Sequence, residues 1–298
     1  MPAVPTIRML PVKSHRPLIA FTGTLLLGAV LALFAKAQWA VLLVLLAAVV
    51  LPLVALAGFV LLDSLPRGQK RRSMVADGTP ALGSSRWLAG LTLGAIVLFA
   101  LFPGLDLWIA EVFYAGNNQF AGQGWFGTFL RFIGYTLPFV VLAVWILSWL
   151  AARMDWPTPF HPAGRDVLFL TLAMMIGPGL VVNLGMKDHL HRPRPAHLAE
   201  FGGGMAFRAF YQFDGACMKN CAFPSGEAAE AFWMVAPASL APPLWRAEAM
   251  AGALVFGAAV SLLRMAFGGH FLSDVVFAAL VMWGILLALR HVNYRRVR

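Results

Sequence analysis

The sequence predicts an all-α polytopic membrane protein of about eight transmembrane helices, a two-helix N-terminal hairpin followed by a six-helix core. Three observations carry this. The 298 residues are 60% hydrophobic and only 12% charged, about half the charged share of a soluble domain. Apolar runs of about 20 residues recur along the chain, long enough to cross a bilayer core. Backbone groups in lipid must be paired within their own segment, which such runs achieve as helices.

The runs fall at roughly 17–35, 39–62, 87–105, 128–151, 166–186, 225–242, 249–265 and 271–290. The first follows Arg8, Lys13 and Arg16. It is longer than the apolar core of a cleaved signal peptide, so it is expected to be retained. The stretch 63–86 holds Pro66, Gly68, Gly78, Pro80 and Gly83 around Lys70-Arg71-Arg72, and reads as a flexible basic linker. Residues 1–86 are therefore expected to form the hairpin with its cytoplasmic linker, and residues 87–298 the main domain.

An even number of spans puts both termini on one side. The segments on that side hold Arg8, Lys13, Arg16, Arg67, Lys70, Arg71, Arg72, Arg86, Arg153, Arg165, Arg246, Arg290, Arg295, Arg296 and Arg298, which are 15 of the 23 Lys and Arg residues. The positive-inside rule makes this side cytoplasmic. The formal net charge of +10 thus marks topology; a nucleic-acid binder would gather it on one soluble face. No nucleic-acid partner is expected, and the bilayer is.

On the opposite side, the aromatics and acids of 106–127 are expected to form an interfacial belt. The stretch from Phe201 to Asp214 lacks any period and is expected to be a mobile outer loop. Cys217 and Cys221, the only two cysteines, fall in the same outward segment, where an oxidising exterior favours a disulfide. Metal ligation with His189, His191 and His197 is the rival reading. It is weak, because no matched His pair stands at zinc spacing.

Three polar clusters interrupt the apolar chain on this outward face. Lys187-Asp188-His189-Leu190-His191-Arg192-Pro193-Arg194-Pro195 is the first. Its prolines keep the stretch extended, so that Lys187 and Arg194 are placed to clamp an anion as point charge and planar fork. The second, Phe223-Pro224-Ser225-Gly226-Glu227, opens a helix with Ser225 as N-cap and Gly226 allowing close approach to the backbone. Glu227 is expected to be protonated there, its carboxyl kept neutral by an apolar setting and an anionic ligand, so that it donates a proton. The third runs from Arg264 through His270 to Asp274. Its four-residue spacing predicts His270 and Asp274 on one helical face, with Asp274 accepting from one imidazole nitrogen and freeing the other as a nucleophile.

Lys187 with Arg194-Pro195, Pro224-Ser225-Gly226, and Arg264, His270 and Asp274 occur in the order and spacing of the type 2 phosphatidic acid phosphatase (PAP2) family of integral membrane lipid phosphatases, which the chain resembles over roughly 87–290. Leu263 replaces the Ser that often precedes the arginine, and Glu227 stands where the family has His. The resemblance implies that His270 attacks phosphorus to form a phosphohistidine and that Asp274 orients it. Lys187, Arg194, Ser225, Gly226 and Arg264 would hold the phosphoryl oxygens. It implies no metal and no cofactor. The implied protein is an inner-membrane lipid phosphatase with its active site facing the periplasm. Its implied substrates are envelope lipids: lipid A first, then undecaprenyl diphosphate and phosphatidylglycerol phosphate or phosphatidate. A phosphotransferase using the same pocket, and a non-catalytic lipid-binding or transport protein, are the alternatives. An intact His270 and Asp274 argue against the last.

Overall fold

The computed structural model describes residues 82–158 and 160–294. The expected N-terminal hairpin and most of its linker lie outside them. What is described is helical, with one small hairpin.

Helix α1 (Ser85–Leu101) is capped by Ser84, whose side chain accepts from the Arg86 N–H at 3.3 Å. Pro103 disfavours a helical conformation at Phe102. The chain therefore turns by 86° into α2 (Gly104–Val112). Strands β1 (Tyr114–Gly116) and β2 (Gln119–Phe120) follow. Asn117 and Asn118 between them both have positive φ, the pair of left-handed residues that a two-residue hairpin turn needs. Here the structure departs from the belt expected over 106–127. Phe113 and Phe120 are buried, and Tyr114, Phe120 and Phe201 pack with ring centroids 5.3–5.5 Å apart. Trp108 and Trp125 remain exposed.

Helix α3 (Trp125–Arg153) has 29 residues, about 43 Å at 1.5 Å per residue, enough to cross a bilayer. Only 17% of its apolar stretch is buried within the protein, against 78% for the later helix α7 (Arg246–Ala266). Helix α3 is therefore a lipid-facing wall and α7 the central post. Helix α4 (Gly164–Met174) passes directly into a π-helical stretch, Met175–Met186. Pro178 lies inside that stretch, and its missing N–H and bulky ring break the regular α ladder there.

The expected span at 225–242 is instead two short helices, α5 (Gly226–Trp233) and α6 (Val235–Ser239). Together they are too short to cross a bilayer core at helical rise. Every residue of α5 except Glu227 is buried, so its apolar run reflects a place in the protein core. Helix α8 (Leu272–Asn293) closes the described chain. Four helical spans, or five if α1 and α2 are one bent span, are long and apolar enough to cross a membrane among the described residues.

Two apolar clusters hold these helices. One gathers Phe99, Ile109, Phe223, Phe271 and Phe277 beneath the polar end. The other gathers Phe169, Trp233, Leu254, Trp283 and Leu286 at the opposite end. The buried indoles are satisfied: Trp233 donates to the Leu170 carbonyl at 3.0 Å and Trp283 to that of Leu82 at 3.1 Å.

The segment 187–224 lies over the polar end. Leu198 bridges Met205, and Asn118 donates to the Gly202 carbonyl at 3.0 Å. The expected mobile loop is thus closed on the preceding turn by backbone bonds and tied to the small hairpin by the Asn118 side-chain amide, which its lack of periodicity concealed. Cys217 and Cys221 are disulfide-bonded with Cα atoms 5.7 Å apart. The Cys217 N–H donates to the His191 carbonyl at 3.3 Å, and the Cys217 carbonyl meets His191 Nδ1 at 2.9 Å. For a loop this short, replacing both cysteines by serine is expected to reduce stability by about 2 kcal/mol. Thermal unfolding in detergent, with and without reductant, measures it; an unchanged midpoint in both would rule out a stabilising bridge.

Candidate active site

The three polar clusters meet at one end of the bundle. Lys187 caps the π-helical stretch, its N–H donating to the Val182 carbonyl at 3.0 Å. Arg194 is extended and opens a short 3-10 turn, Pro195–His197. Its Nε donates to the Asn220 carbonyl at 3.0 Å. Arg264, buried on the last turn of α7, places Nε 3.3 Å from Glu227 Oε2. Burial draws the Lys187 ammonium below the usual lysine range, and the Arg194 cation adds to that. The site is a partly dehydrated concentration of positive charge, which suits an oxyanion (a phosphoryl group above all).

His270 is 2% exposed. Its Nδ1 lies 2.7 Å from the Ala222 carbonyl. A carbonyl only accepts, so Nδ1 carries the proton and Nε2 keeps its lone pair. Burial holds the imidazole well below the ordinary histidine range, reinforced by Arg264, Arg194 and Lys187. The ring is therefore neutral at physiological pH.

The expected hydrogen bond from His270 to Asp274 is absent. Nδ1 stands 3.7 Å from Asp274 Oδ2, beyond hydrogen-bond reach. The spacing argument required both residues on a helix, but α8 begins at Leu272. His270 precedes its cap and Asp274 sits in its first turn. There Asp274 accepts the Phe271 N–H at 2.7 Å and pairs with Arg192.

The second cluster also departs from expectation. Ser225 caps α5, its Oγ accepting from the Ala228 N–H at 3.3 Å. Its own N–H is taken by the Asp274 carbonyl at 3.2 Å. A Cβ at Gly226 would lie 2.4 Å from Asn183 Oδ1, so the missing side chain makes room for that amide. Glu227 is not an isolated neutral acid. Its carboxylate takes Arg131 Nη2 at 2.7 Å and Nε at 3.1 and 3.2 Å, and it faces Arg264 as well. Two guanidinium partners make it an ion-paired anion. The apolar run around Glu227 gives no sign of Arg131, which a helix 96 residues away in the chain supplies.

Arg192, Asp106, Ser273 and Ala222, all outside the expected set, support the site from behind. Arg192, 1% exposed, donates to Asp106 Oδ2 at 2.7 Å, to Ser273 Oγ at 2.7 Å, to the Arg208 carbonyl at 2.9 Å and to Asp274. Its guanidinium carbon lies 4.3 Å from the centre of the Phe271 ring. Asp106 accepts both the N–H and the hydroxyl of Ser273. The Ala222 N–H donates to the Arg192 carbonyl at 2.8 Å, while its carbonyl holds His270. The network thus reaches the imidazole through two backbone links. Gly269 lies against Arg264, where a Cβ would come 2.6 Å from Nη2, and Gly268 takes a φ of +65°. A Cβ at Gly268 would also come 2.5 Å from the Phe120 ring, so glycine fits this left-handed turn between Arg264 and His270 best.

Known proteins resemble this chain in sequence. Residues 166–298 match the model of the PAP2 superfamily. A lipid A 4'-phosphatase of Francisella tularensis subsp. novicida (strain U112) is 34% identical over 193 residues, 63% of this chain and 86% of that protein. A lipid A 4'-phosphatase of Rhizobium leguminosarum is 31% identical over 211 residues, 65% of this chain and 91% of that protein. One of Rhizobium etli is 33% identical over 211 residues, covering 65% and 82%. No solved structure matches the chain. The matched stretch contains Lys187, Arg194, Arg264 and His270, and the similarity runs through most of each relative's length, so the chain belongs to the PAP2 superfamily.

Proposed function

We propose that this protein is a membrane lipid phosphatase that removes a phosphate monoester from a lipid A-type substrate through a phosphohistidine on His270. The observation that carries the reading is the buried, neutral His270, with Nδ1 tied to Ala222 and three cations around it. Nε2 attacks phosphorus; Lys187, Arg194 and Arg264 hold the phosphoryl oxygens, helped by the N-terminus of α5 at Ser225 and Gly226. Electrostatic positioning carries most of the barrier reduction in phosphoryl transfer. Asp274 positions His270 indirectly, through the Phe271 backbone and Arg192. Water then cleaves the phosphohistidine and releases inorganic phosphate. No metal takes part in this scheme. Three proteins similar to this chain carry the name lipid A 4'-phosphatase, which favours lipid A over the other envelope lipids. The charge distribution supports an inner-membrane location with the site toward the periplasm.

The test is phosphate release by the detergent-purified protein from lipid A, undecaprenyl diphosphate, phosphatidylglycerol phosphate and phosphatidate, each with and without EDTA. We expect release from lipid A, undiminished by the chelator. Release from none of the four would overturn the reading. Phosphate passed to an added acceptor lipid in place of water would make the enzyme a transferase, and inhibition by EDTA would overturn the metal-free mechanism.

A further inference from the structure

We propose that Arg131, held in place by Glu227, is the group that receives the negative charge of the leaving oxygen. The inference rests on the phosphatase reading above and assigns the side of the pocket from which the lipid departs.

Arg131 lies in none of the three polar clusters. It projects from α3, between Phe129 and Phe132, two of the most exposed aromatics of that lipid-facing helix. Its side chain is 45% exposed, whereas that of Arg264 is 4% exposed. Glu227 holds both, and both guanidinium carbons lie over the ring of Phe267, at 5.8 and 5.6 Å. Arg131 and Arg264 thus stand as the outer and inner cations of one Glu227-centred unit. Directly alongside, a shallow apolar groove runs between α3 and α7, lined by Leu130, Ile133, Gly134, Val260 and Leu263. Leu130 and Leu263 are the chain neighbours of Arg131 and Arg264. A substrate whose leaving group is a lipid must keep that lipid on the bilayer side. The groove and the exposed α3 face supply that side, and Arg131 is the cation at its junction with the buried site.

The displacement is in-line, so the leaving oxygen departs on the side opposite His270. As the Nε2–phosphorus bond forms and the phosphorus–oxygen bond breaks, the electron pair passes to the leaving oxygen. Arg131 donates hydrogen bonds to it. Water at the half-exposed mouth then protonates the oxygen and is left as hydroxide. A second water later adds to phosphorus as the Nε2–phosphorus bond breaks, and the proton it gives up neutralises that hydroxide. A guanidinium does not titrate in the working range, so this arrangement needs no acid with a tuned pKa. Glu227 fixes the fork by its two-sided contact and keeps it at the seam of α3 and α5.

The test compares Arg131→Gln, Arg131→Lys, Glu227→His and the double variant Glu227→His/Arg131→Gln on two substrates, lipid A in mixed micelles and nitrophenyl phosphate. A sugar alkoxide needs charge stabilisation as it leaves; a nitrophenolate hardly does. Arg131→Gln is expected to lower kcat on lipid A by about 10²- to 10³-fold, the loss that follows removal of one transition-state donor. It is expected to leave kcat on nitrophenyl phosphate within about fivefold, and Arg131→Lys is expected to recover part of the loss on lipid A. With Glu227→His an imidazole can supply a proton, so a basic limb appears in the pH–rate profile. Arg131→Gln then costs much less on lipid A than in the wild-type background. Because the side chains of Arg131 and Glu227 touch, contact alone couples them. The discriminating readout is that the difference appears on lipid A and not on nitrophenyl phosphate, a substrate dependence that a structural role would not produce. The double variant also carries no orphaned carboxylate, so it remains testable if Arg131→Gln alone does not fold. Glu230, a buried carboxyl of α5 three residues after Glu227, is the rival proton donor. Equal losses on both substrates, additive effects on lipid A, or a basic limb in the wild type that Glu230→Gln removes would each overturn the assignment. If wild-type protein fails on both substrates, or His270→Ala retains activity, it is the phosphatase reading that fails.

Discussion

His270→Ala is expected to abolish phosphate release, lowering kcat by about 10⁴-fold or more, the scale seen when a catalytic nucleophile is removed. His270→Asn separates chemistry from folding. Its side-chain amide can still donate to the Ala222 carbonyl, as Nδ1 does at 2.7 Å, but it has no Nε2. It is expected to unfold at the wild-type temperature and to be as inactive as alanine. Rapid acid-free quenching with labelled lipid should trap phosphate on the wild-type protein at Nε2, since Nδ1 is already engaged. The pH dependence follows from the same geometry. The attacking imidazole must be neutral, so activity falls as pH drops through its folded value. Burial and the cations Arg264, Arg194 and Lys187 hold that value well below the usual range. The acid limb of kcat/KM is therefore expected below about pH 6.5, the unperturbed histidine value. Replacing Arg194 by Gln should move it upward. An acid limb at or above that value in the wild type, or label trapped on His270→Asn, would defeat the nucleophile assignment.

Periodicity and length made most of the architecture legible, because a span long enough to cross a bilayer must be apolar throughout. The same rule misled at 225–242, where the apolar run is buried in protein and breaks into α5 and α6. Lys187, Arg194, Arg264 and His270 were legible as polar groups at the ends of apolar runs. Their partners were not. Arg192 meets Asp106 across 86 residues of chain and Ser273 across 81, and nothing in local spacing encodes such a pairing. Arg131 carried a usable signal: it is a lone charge inside the apolar run 128–151, and ionisable groups in spans are functional by default. Without its position, Glu227 reads as an unpaired acid, whereas the carboxylate is paired with Arg131 and faces Arg264. The misread partner of His270 has a different origin. The spacing to Asp274 is helical in number, but the helix starts two residues after the histidine.

Arg192→Met is expected to produce the largest loss of stability, about 3–5 kcal/mol, the penalty for stranding a buried charge. Arg192 neutralises two carboxylates at once, and its side chain and those of Asp106 and Asp274 are 1%, 2% and 0% exposed. Removing the cation leaves two buried acids around Ser273 with no counter-charge. Asp106→Asn removes one acid and keeps Arg192 paired to Asp274, so a smaller loss is expected. The double variant Arg192→Met/Asp106→Asn should be more stable than Arg192→Met alone, because it discards one of the stranded charges. Arg192→Lys should fail to rescue: a single ammonium cannot reach Asp106, Asp274, Ser273 and the Arg208 carbonyl together as the planar fork does. Thermal unfolding in one detergent gives the order, and kcat on lipid A below the transition shows whether the network also places His270. Because the Arg192 side chain holds Asp274, which in turn fixes the Phe271 N–H beside His270, Arg192→Met should depress kcat more than KM even where the protein is folded. Equal unfolding temperatures for wild type and Arg192→Met would show that water or rearrangement satisfies the acids. The buried triad would then hold no structural charge, and the positioning of His270 would rest on the Ala222 carbonyl alone.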